Sequence, residues 1–250
     1  MAAAERAGAS PRGSGIVRIA AVGDVHASAA RAGEWRETFH EISQSADVLC
    51  LCGDLTNLGT RAEAEALAAD LRACAIPVVA VLGNHDHHCD NAAELESVFG
   101  EVGVRFLEDE VHSINGIGFA GVKGFGGGFD GQMLGAFGEP SVKAFVQEAL
   151  DQAMRLEHAL HQLQGMRSVV LLHYAPVAET VQGEPEALYP FLGSSRLAET
   201  IDRFDHVRAV FHGHAHHGTY EGHTRKGVPV YNVAASIAKP TGKAYALVEV

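Results

Sequence analysis

Val78-Val79-Ala80-Val81-Leu82-Gly83-Asn84-His85-Asp86 decides how the rest of the chain is read. Five apolar residues suit a buried strand, and a glycine then releases three polar side chains that can offer oxygen or nitrogen to a cation. Working outward, the same plan recurs four times. Ile16 to Val22 leads to Asp24-Val25-His26, Val48 to Cys52 leads to Gly53-Asp54, Ser168 to Leu172 leads to His173, and Val207 to Phe211 leads to Gly213-His214-Ala215-His216. Alone, each segment reads as a turn. Together they put every candidate ligand at or just past the carboxyl end of a strand, where open α/β sheets bind ligands. All five are expected on one sheet edge.

The residue types suit two divalent metals at one site. Asp24 and His26 are two residues apart in extended chain, so both side chains can aim to one side, and His214 with His216 repeats that geometry. Asp54 has two oxygens with which to bridge two cations. Asn84 adds a neutral carbonyl oxygen that limits the accumulated negative charge.

Helices separate the strands. Trp35, Phe39 and Ile42 form a stripe after strand one. Thr60 with Glu63 and Asn91 with Glu94 predict capping boxes for the next two helices. Short strands are expected around Arg105 to Leu107, Val111 to Ile114 and Gly118 to Val122, with a hairpin turn at Asn115-Gly116 and a second sheet packed on the first. Residues 118–138 are glycine-rich and lack a P-loop ending, so a mobile lid over the site is expected. Pro140 starts the longest helix, whose stripe includes Val142, Phe145, Val146 and Met154, until Gly165 stops it. His158 and His161 on this helix read as surface residues. Strands around Thr219 to Gly222 and Val228 to Val233 complete the prediction.

Composition narrows the functional classes. The chain has 250 residues and a formal net charge of −12, which disfavours the broad basic footprint of a nonspecific nucleic-acid binder. No apolar stretch approaches a membrane span. Residues 1–15 read as a disordered tail without a signal-peptide core, and residues 16–250 as a single domain. Cys50, Cys52, Cys74 and Cys89 fit neither a disulfide framework nor a zinc knuckle and read as reduced thiols, which places the protein in the cytoplasm.

The ordered motifs Asp-x-His, Gly-Asp, Gly-Asn-His-Asp, His and Gly-His-x-His resemble those of the calcineurin-like metallophosphoesterase family, over residues 16 to about 236. The resemblance implies the metallo-dependent phosphatase fold, a four-layer α/β/β/α sandwich of two mixed β-sheets flanked by helices. It assigns Asp24, His26, Asp54 and His216 to one metal, and Asp54, Asn84, His173 and His214 to a second. Two ions held together in this way can clamp an in-line phosphoryl displacement, with a bridging hydroxide as nucleophile. His85 is the motif residue left over. Its expected role is to protonate the leaving alkoxide, with Asp86 orienting its ring.

Departures from the better-defined relatives are informative. Protein serine/threonine phosphatases carry an arginine in Gly-Asp-x-Val-Asp-Arg-Gly, where this chain reads Gly53-Asp54-Leu55-Thr56-Asn57-Leu58-Gly59. Purple acid phosphatases place a tyrosine ligand where Asn57 stands, so a ferric-tyrosinate site is excluded. The remaining likeness is to small bacterial phosphodiesterases. The expected substrate is therefore a small phosphate ester, a diester or nucleotide before a monoester, hydrolysed with two Mn, Fe or Zn ions. The alternatives are a scaffold that kept the fold without catalysis, and a nuclease. A homodimer is compatible with the sequence. Arg196 is a further phosphate-binding candidate, and His87, His88, His212, His217 and His223 lie near the motifs as supporting or bystander residues.

Overall fold

A computed structural model describes residues 15–108 and 110–250. Of the expected tail, residues 1–14 lie outside the described residues. The first sheet takes β1 (Arg18–Val22), β2 (Val48–Cys52), β3 (Val78–Val81) and β4 (Val104–Phe106) as parallel neighbours. The runs of β1, β2 and β3 are fully or nearly fully buried because helices cover one face and the second sheet covers the other. The covering helices are α1 (Arg36–Ser45), α2 (Arg61–Leu71) and α3 (Ala92–Gly100). Phe39 and Ile42 of α1, Leu67 and Leu71 of α2, and Leu95 and Phe99 of α3 pack on Ala20, Leu49, Leu51 and Ala80.

The second sheet runs β5-β6-β7-β8-β10-β9, built from β5 (His112–Ile114), β6 (Ile117–Val122), β7 (Ser168–Leu172), β8 (Val207–His212), β9 (Glu221–His223) and β10 (Pro229–Asn232). Asn115 and Gly116 both take positive φ in the β5–β6 turn, 52° and 78°, as the Asn-Gly pair requires. Ile19, Cys50, Cys52 and Val79 of the first sheet meet Phe119, Val169, Leu171 and Phe211 of the second. The outer face of the second sheet packs against α4 (Pro140–Gln162) and, beyond the short α5 (Tyr189–Leu192), α6 (Ser195–Ile201). The order of layers is α/β/β/α, as the resemblance implies.

Four expectations need correction. The first sheet is closed by β11 (Ala246–Glu249), antiparallel to β1, a strand that sequence reading omitted. The capping box holds at Thr60, whose hydroxyl accepts the Glu63 N–H, but not at Asn91. There the Glu94 carboxylate is taken by Arg61 and by the Asn91 side-chain amide itself. Val142 and Met154 lie off the buried stripe of α4 and are exposed.

The glycine-rich stretch is also no uniform mobile loop. It begins as buried β6, and Gly127 and Gly128 then donate to the carbonyls of Pro190 and Gly193 at 2.7 and 2.9 Å. Gly118, Gly121, Gly126, Gly127 and Gly128 serve close packing, and the surface-exposed part of the stretch is confined to residues 130–138.

Candidate metal centre

The candidate ligands leave the carboxyl ends of β1, β2, β3, β7 and β8, three from one sheet and two from the other. The expected single sheet edge is therefore two edges facing each other. The polypeptide turns sharply at each exit. Seven non-glycine residues among those described have positive φ, and Asp24 (56°), His26 (44°), Asp54 (49°) and His214 (70°) are four of them. Such a conformation costs roughly 1 kcal/mol or more per residue and persists only where surrounding bonds over-determine it. Here the Asp24 N–H donates to the Gly53 carbonyl and the His26 N–H to that of Asp54, both at 2.9 Å.

Two glycines explain why these turns fit. A Cβ on Gly83 would lie 2.2 Å from the amide nitrogen and Oδ1 of Asp54, and a Cβ on Gly213 would lie 2.2 Å from Asp24 Oδ2. The carboxylates occupy the space a side chain would need. The Asp24 carboxylate accepts the His214 N–H at 2.9 Å, and Asp54 Oδ1 accepts the His85 N–H at 2.8 Å.

Two groups of ligand atoms result, sharing Asp54. Asp24, His26, Asp54 and His216 bring one atom each within 4.8 Å of one another, and so do Asp54, His173 and His214. His216 Nε2 lies 2.7 Å from Asp24 Oδ1 and 3.4 Å from His26 Nε2. Asn84 Oδ1 joins the second group, 2.9 Å from His173 Nε2, which is itself 3.4 Å from Asp54 Oδ1. The structure thus brings together all seven residues named as ligands from the sequence.

The rings are set for coordination. His173 Nδ1 donates to the Cys52 carbonyl at 3.0 Å, leaving the Nε2 lone pair toward Asp54. His214 Nε2 donates to the Phe191 carbonyl at 3.2 Å, leaving Nδ1 as its free donor atom. A ring N–H anchored on a backbone carbonyl is the usual support of a metal-bound histidine.

Burial pushes His214 down to about 3, helped by the neighbouring His173 and opposed by Asp24, so the ring is neutral at pH 7. Burial also lowers His26, against the pull of Asp54 and Asp24. The hydrogen bond to Asp24 raises His216, against burial. Burial acts to raise the Asp24 carboxyl, but the His216 hydrogen bond with the charges of His173 and His216 brings it below its ordinary value. Two groups of converging nitrogen and carboxylate donors around one shared carboxylate match a pair of divalent cations in chemistry and number.

His85 stands at the open side of this centre. Its Nδ1 donates to the Asn57 carbonyl at 2.7 Å, its Nε2 lies 3.9 Å from Asp54 Oδ2, and its ring meets His26 edge-on at 4.6 Å. Asp86 does not orient it. The Asp86 carboxylate is fully buried and accepts four bonds, from the N–H groups of Leu55, Thr56 and Gly83 and from the Thr56 hydroxyl. Burial pushes its carboxyl up, and the Thr56 and Gly83 donors oppose that shift. Its part is to tie the turn after β2 to the turn after β3. The Asn57 carbonyl is the orienting group that sequence reading missed, because a backbone oxygen leaves no trace in side-chain identity.

Other candidates sort by position. The Arg196 guanidinium makes no hydrogen bond or ion pair to a ligand residue among the described residues; only its N–H bonds, to Ser194 Oγ. His88, His217 and His223 are exposed, as are His158 and His161, and His87 is half-buried. His212 is fully buried between the Gly213 carbonyl and the Thr180 hydroxyl. Lys123, unremarked in the sequence, follows β6 directly. Its carbonyl accepts the N–H groups of His173 and Tyr174, and its Nζ lies 5.0 and 5.4 Å from the ring centroids of Phe125 and Tyr174. Inspecting the end of β6 by the rule applied to the other strands would have found it. All four cysteines are free, Cys50 and Cys52 buried between the sheets, and among the described residues no helix is long and apolar enough to cross a membrane.

Comparison with known proteins adds to this geometry. Solved structures similar to the chain include a phosphopantetheinyl hydrolase from Mycobacterium tuberculosis, with TM-score 0.68 and 16% identity, covering 92% of this chain and 95% of that one. TT1561 of Thermus thermophilus aligns with TM-score 0.57 and 22% identity, covering 88% and 89%. A hypothetical protein of the same organism gives TM-score 0.51 and 16% identity, covering 88% and 76%. At such identities these likenesses speak for the fold. No curated protein sequence matches the chain. The sequence profile of the calcineurin-like phosphoesterases matches residues 17–218, from the start of the first sheet through the last candidate ligand, His216. That span is most of the chain, and the chain belongs to the calcineurin-like phosphoesterase family.

Proposed function

We propose that this protein hydrolyses small phosphate esters, diesters or nucleotides in preference to monoesters, at a dinuclear metal centre formed by Asp24, His26, Asp54, Asn84, His173, His214 and His216. The observation that carries the reading is the sharing of Asp54 between two groups of donors. Two divalent ions bound there supply positive charge to phosphoryl oxygens and acidify water. Mn, Fe and Zn all accept this mixture of imidazole and carboxylate donors.

The chain's own residues supply the rest. His85, with Nδ1–H held by Asn57, turns Nε2 toward the centre, and in its doubly protonated form it donates that proton to the departing alkoxide. A preference for diesters is supported by the missing arginine clamp. Leu58, half-exposed, stands where protein phosphatases carry a phosphate-clamping arginine. Arg31 reaches the His26 carbonyl but is paired with Glu34. A singly charged diester needs less positive charge than a monoester dianion. The similar phosphopantetheinyl hydrolase makes phosphopantetheinyl esters one reasonable class to assay. Four free thiols support a reducing compartment, the cytoplasm.

The test is reconstitution with Mn, determination of metal per chain, and turnover of bis(p-nitrophenyl) phosphate against p-nitrophenyl phosphate. Stoichiometric metal and faster diester turnover are expected, both abolished by Asp54→Asn. Unchanged turnover in Asp54→Asn would leave a scaffold that kept the fold. Robust cleavage of DNA at physiological salt would favour a nuclease.

A further inference from the structure

An apolar cleft of about 310 Å³ opens beside the second group of ligands, lined by Phe125, Phe145, Tyr174, Leu188, Phe191 and His214. His214 belongs to both places. Its ring meets that of Tyr174 at a tilt of 45° and a centroid distance of 4.4 Å, and its Nε2–H is held by the Phe191 carbonyl. The aromatic walls brace one another, Phe125 against Phe145 at 4.8 Å, Phe125 against Tyr174 at 5.7 Å and Phe145 against Phe191 at 6.1 Å. Lys123 lies over Phe125 and Tyr174 from behind. The backbone groups nearby are already engaged, Gly127 N–H on the Pro190 carbonyl and Ala175 N–H on that of Leu192. Such a cavity offers apolar surface and few hydrogen bonds, which suits a hydrophobic body better than a sugar or glycerol and ranks apolar diesters ahead of nucleotides.

We infer that this cleft holds the organic group esterified to the phosphate, and that the enzyme selects phosphate esters carrying an apolar ring or chain. The inference rests on the phosphoesterase reading and adds its substrate class. Continuity with the metal centre through His214 makes the cleft a subsite. An ester group attached to a phosphoryl bound at Asn84, His173 and His214 has this cavity as its apolar neighbour. Phe191 and Leu188 keep the outer end open, at 56% and 45% exposure, so the group need not be short.

The experiment is calorimetric titration of Mn-loaded protein with methyl-, phenyl- and hexylphosphonate, of which the phenyl and hexyl groups are large enough to fill the cleft and the methyl group is not. Phenyl- and hexylphosphonate are expected to bind about tenfold or more tightly than methylphosphonate, with a more negative heat-capacity change. A larger gain for phenyl identifies an aromatic ring as the preferred body, and a larger gain for hexyl identifies a chain. Phe145→Trp, which narrows the cleft, should erase the gain and leave the methyl affinity alone. Leu188→Gln at the open end should reduce the gain with the same methyl affinity. Equal binding of all three phosphonates overturns the subsite. Failure of methylphosphonate and inorganic phosphate to bind at all overturns the phosphoesterase reading itself.

Discussion

Gly83→Ala tests the physical basis of the centre in one methyl group. The added carbon would stand 2.2 Å from both Asp54 N and Asp54 Oδ1 and 2.9 Å from Cγ, where real Cβ contacts end at 3.0 Å. The shortfall is most of an ångström, and both close neighbours belong to the residue that the two ligand groups share. Overpacking of this kind typically costs about 1–3 kcal/mol, or roughly 2–12 °C of melting temperature for a protein of this size. Activity should suffer more than stability, because a misplacement of about 1 Å at reacting groups costs on the order of 10²-fold.

Gly100→Ala is the control. A Cβ there meets nothing within 4 Å at the end of α3, and the exchange should be neutral or stabilising by up to about 1 kcal/mol. Metal content by atomic absorption, diester turnover and thermal unfolding are measured on both variants. Gly83→Ala with full metal and full turnover would refute the account of Asp54 as the closely packed pivot.

Three further outcomes are expected. His85→Asn should slow alkyl esters by about 10² to 10⁴ and nitrophenyl esters far less, since nitrophenolate leaves without a proton; an equal loss for both would remove His85 as the acid. His216 is raised above its ordinary value by Asp24, so its proton competes with metal. Metal affinity measured by competition with a chelating dye should weaken as pH falls from 8 to 6, and pH-independent affinity would contradict the ligand assignment. Burial depresses His212 from 6.5 to about 4. The unfolded chain therefore takes up a proton that the fold refuses as pH drops from 6.5 toward 4. Stability present above 6.5 is lost across that window, by about 3 kcal/mol. Urea unfolding of the metal-free protein at pH 7 and 4.5 should show this loss, reduced in His212→Gln; an equal loss in both would refute it.

The strands that carry ligands were legible because each is a mostly apolar run, broken only by Arg18 and Arg208 and by Ser168 at its start, that ends in a glycine or a polar residue, and the structure places all seven named donors together. What escaped has local causes. The short β11 contributes only one fully buried side chain, Ala246, with Leu247 and Val248 half-buried, so its apolar signal is weak. Asp86 seemed a partner for His85 because the two are adjacent, yet neighbouring side chains diverge, and its carboxylate answers to Leu55, Thr56 and Gly83. The glycines after β6 read as freedom of movement. At Gly126 the space for a Cβ is instead filled by the Pro190 carbonyl, 2.5 Å away, and by the Phe145 ring.

Donors from both sheets meet at Asp54, so with the proposed ions bound the sheets could not part without pulling the coordination apart. Metal occupancy and cohesion between the halves of the sandwich are then one thermodynamic quantity. With the proposed ions bound, a free metal concentration about a thousand times the dissociation constant would fasten the fold by roughly 4 kcal/mol. A cell starved of that metal would hold a looser protein as well as a slower one, and proteolytic turnover would lower its abundance in step with supply.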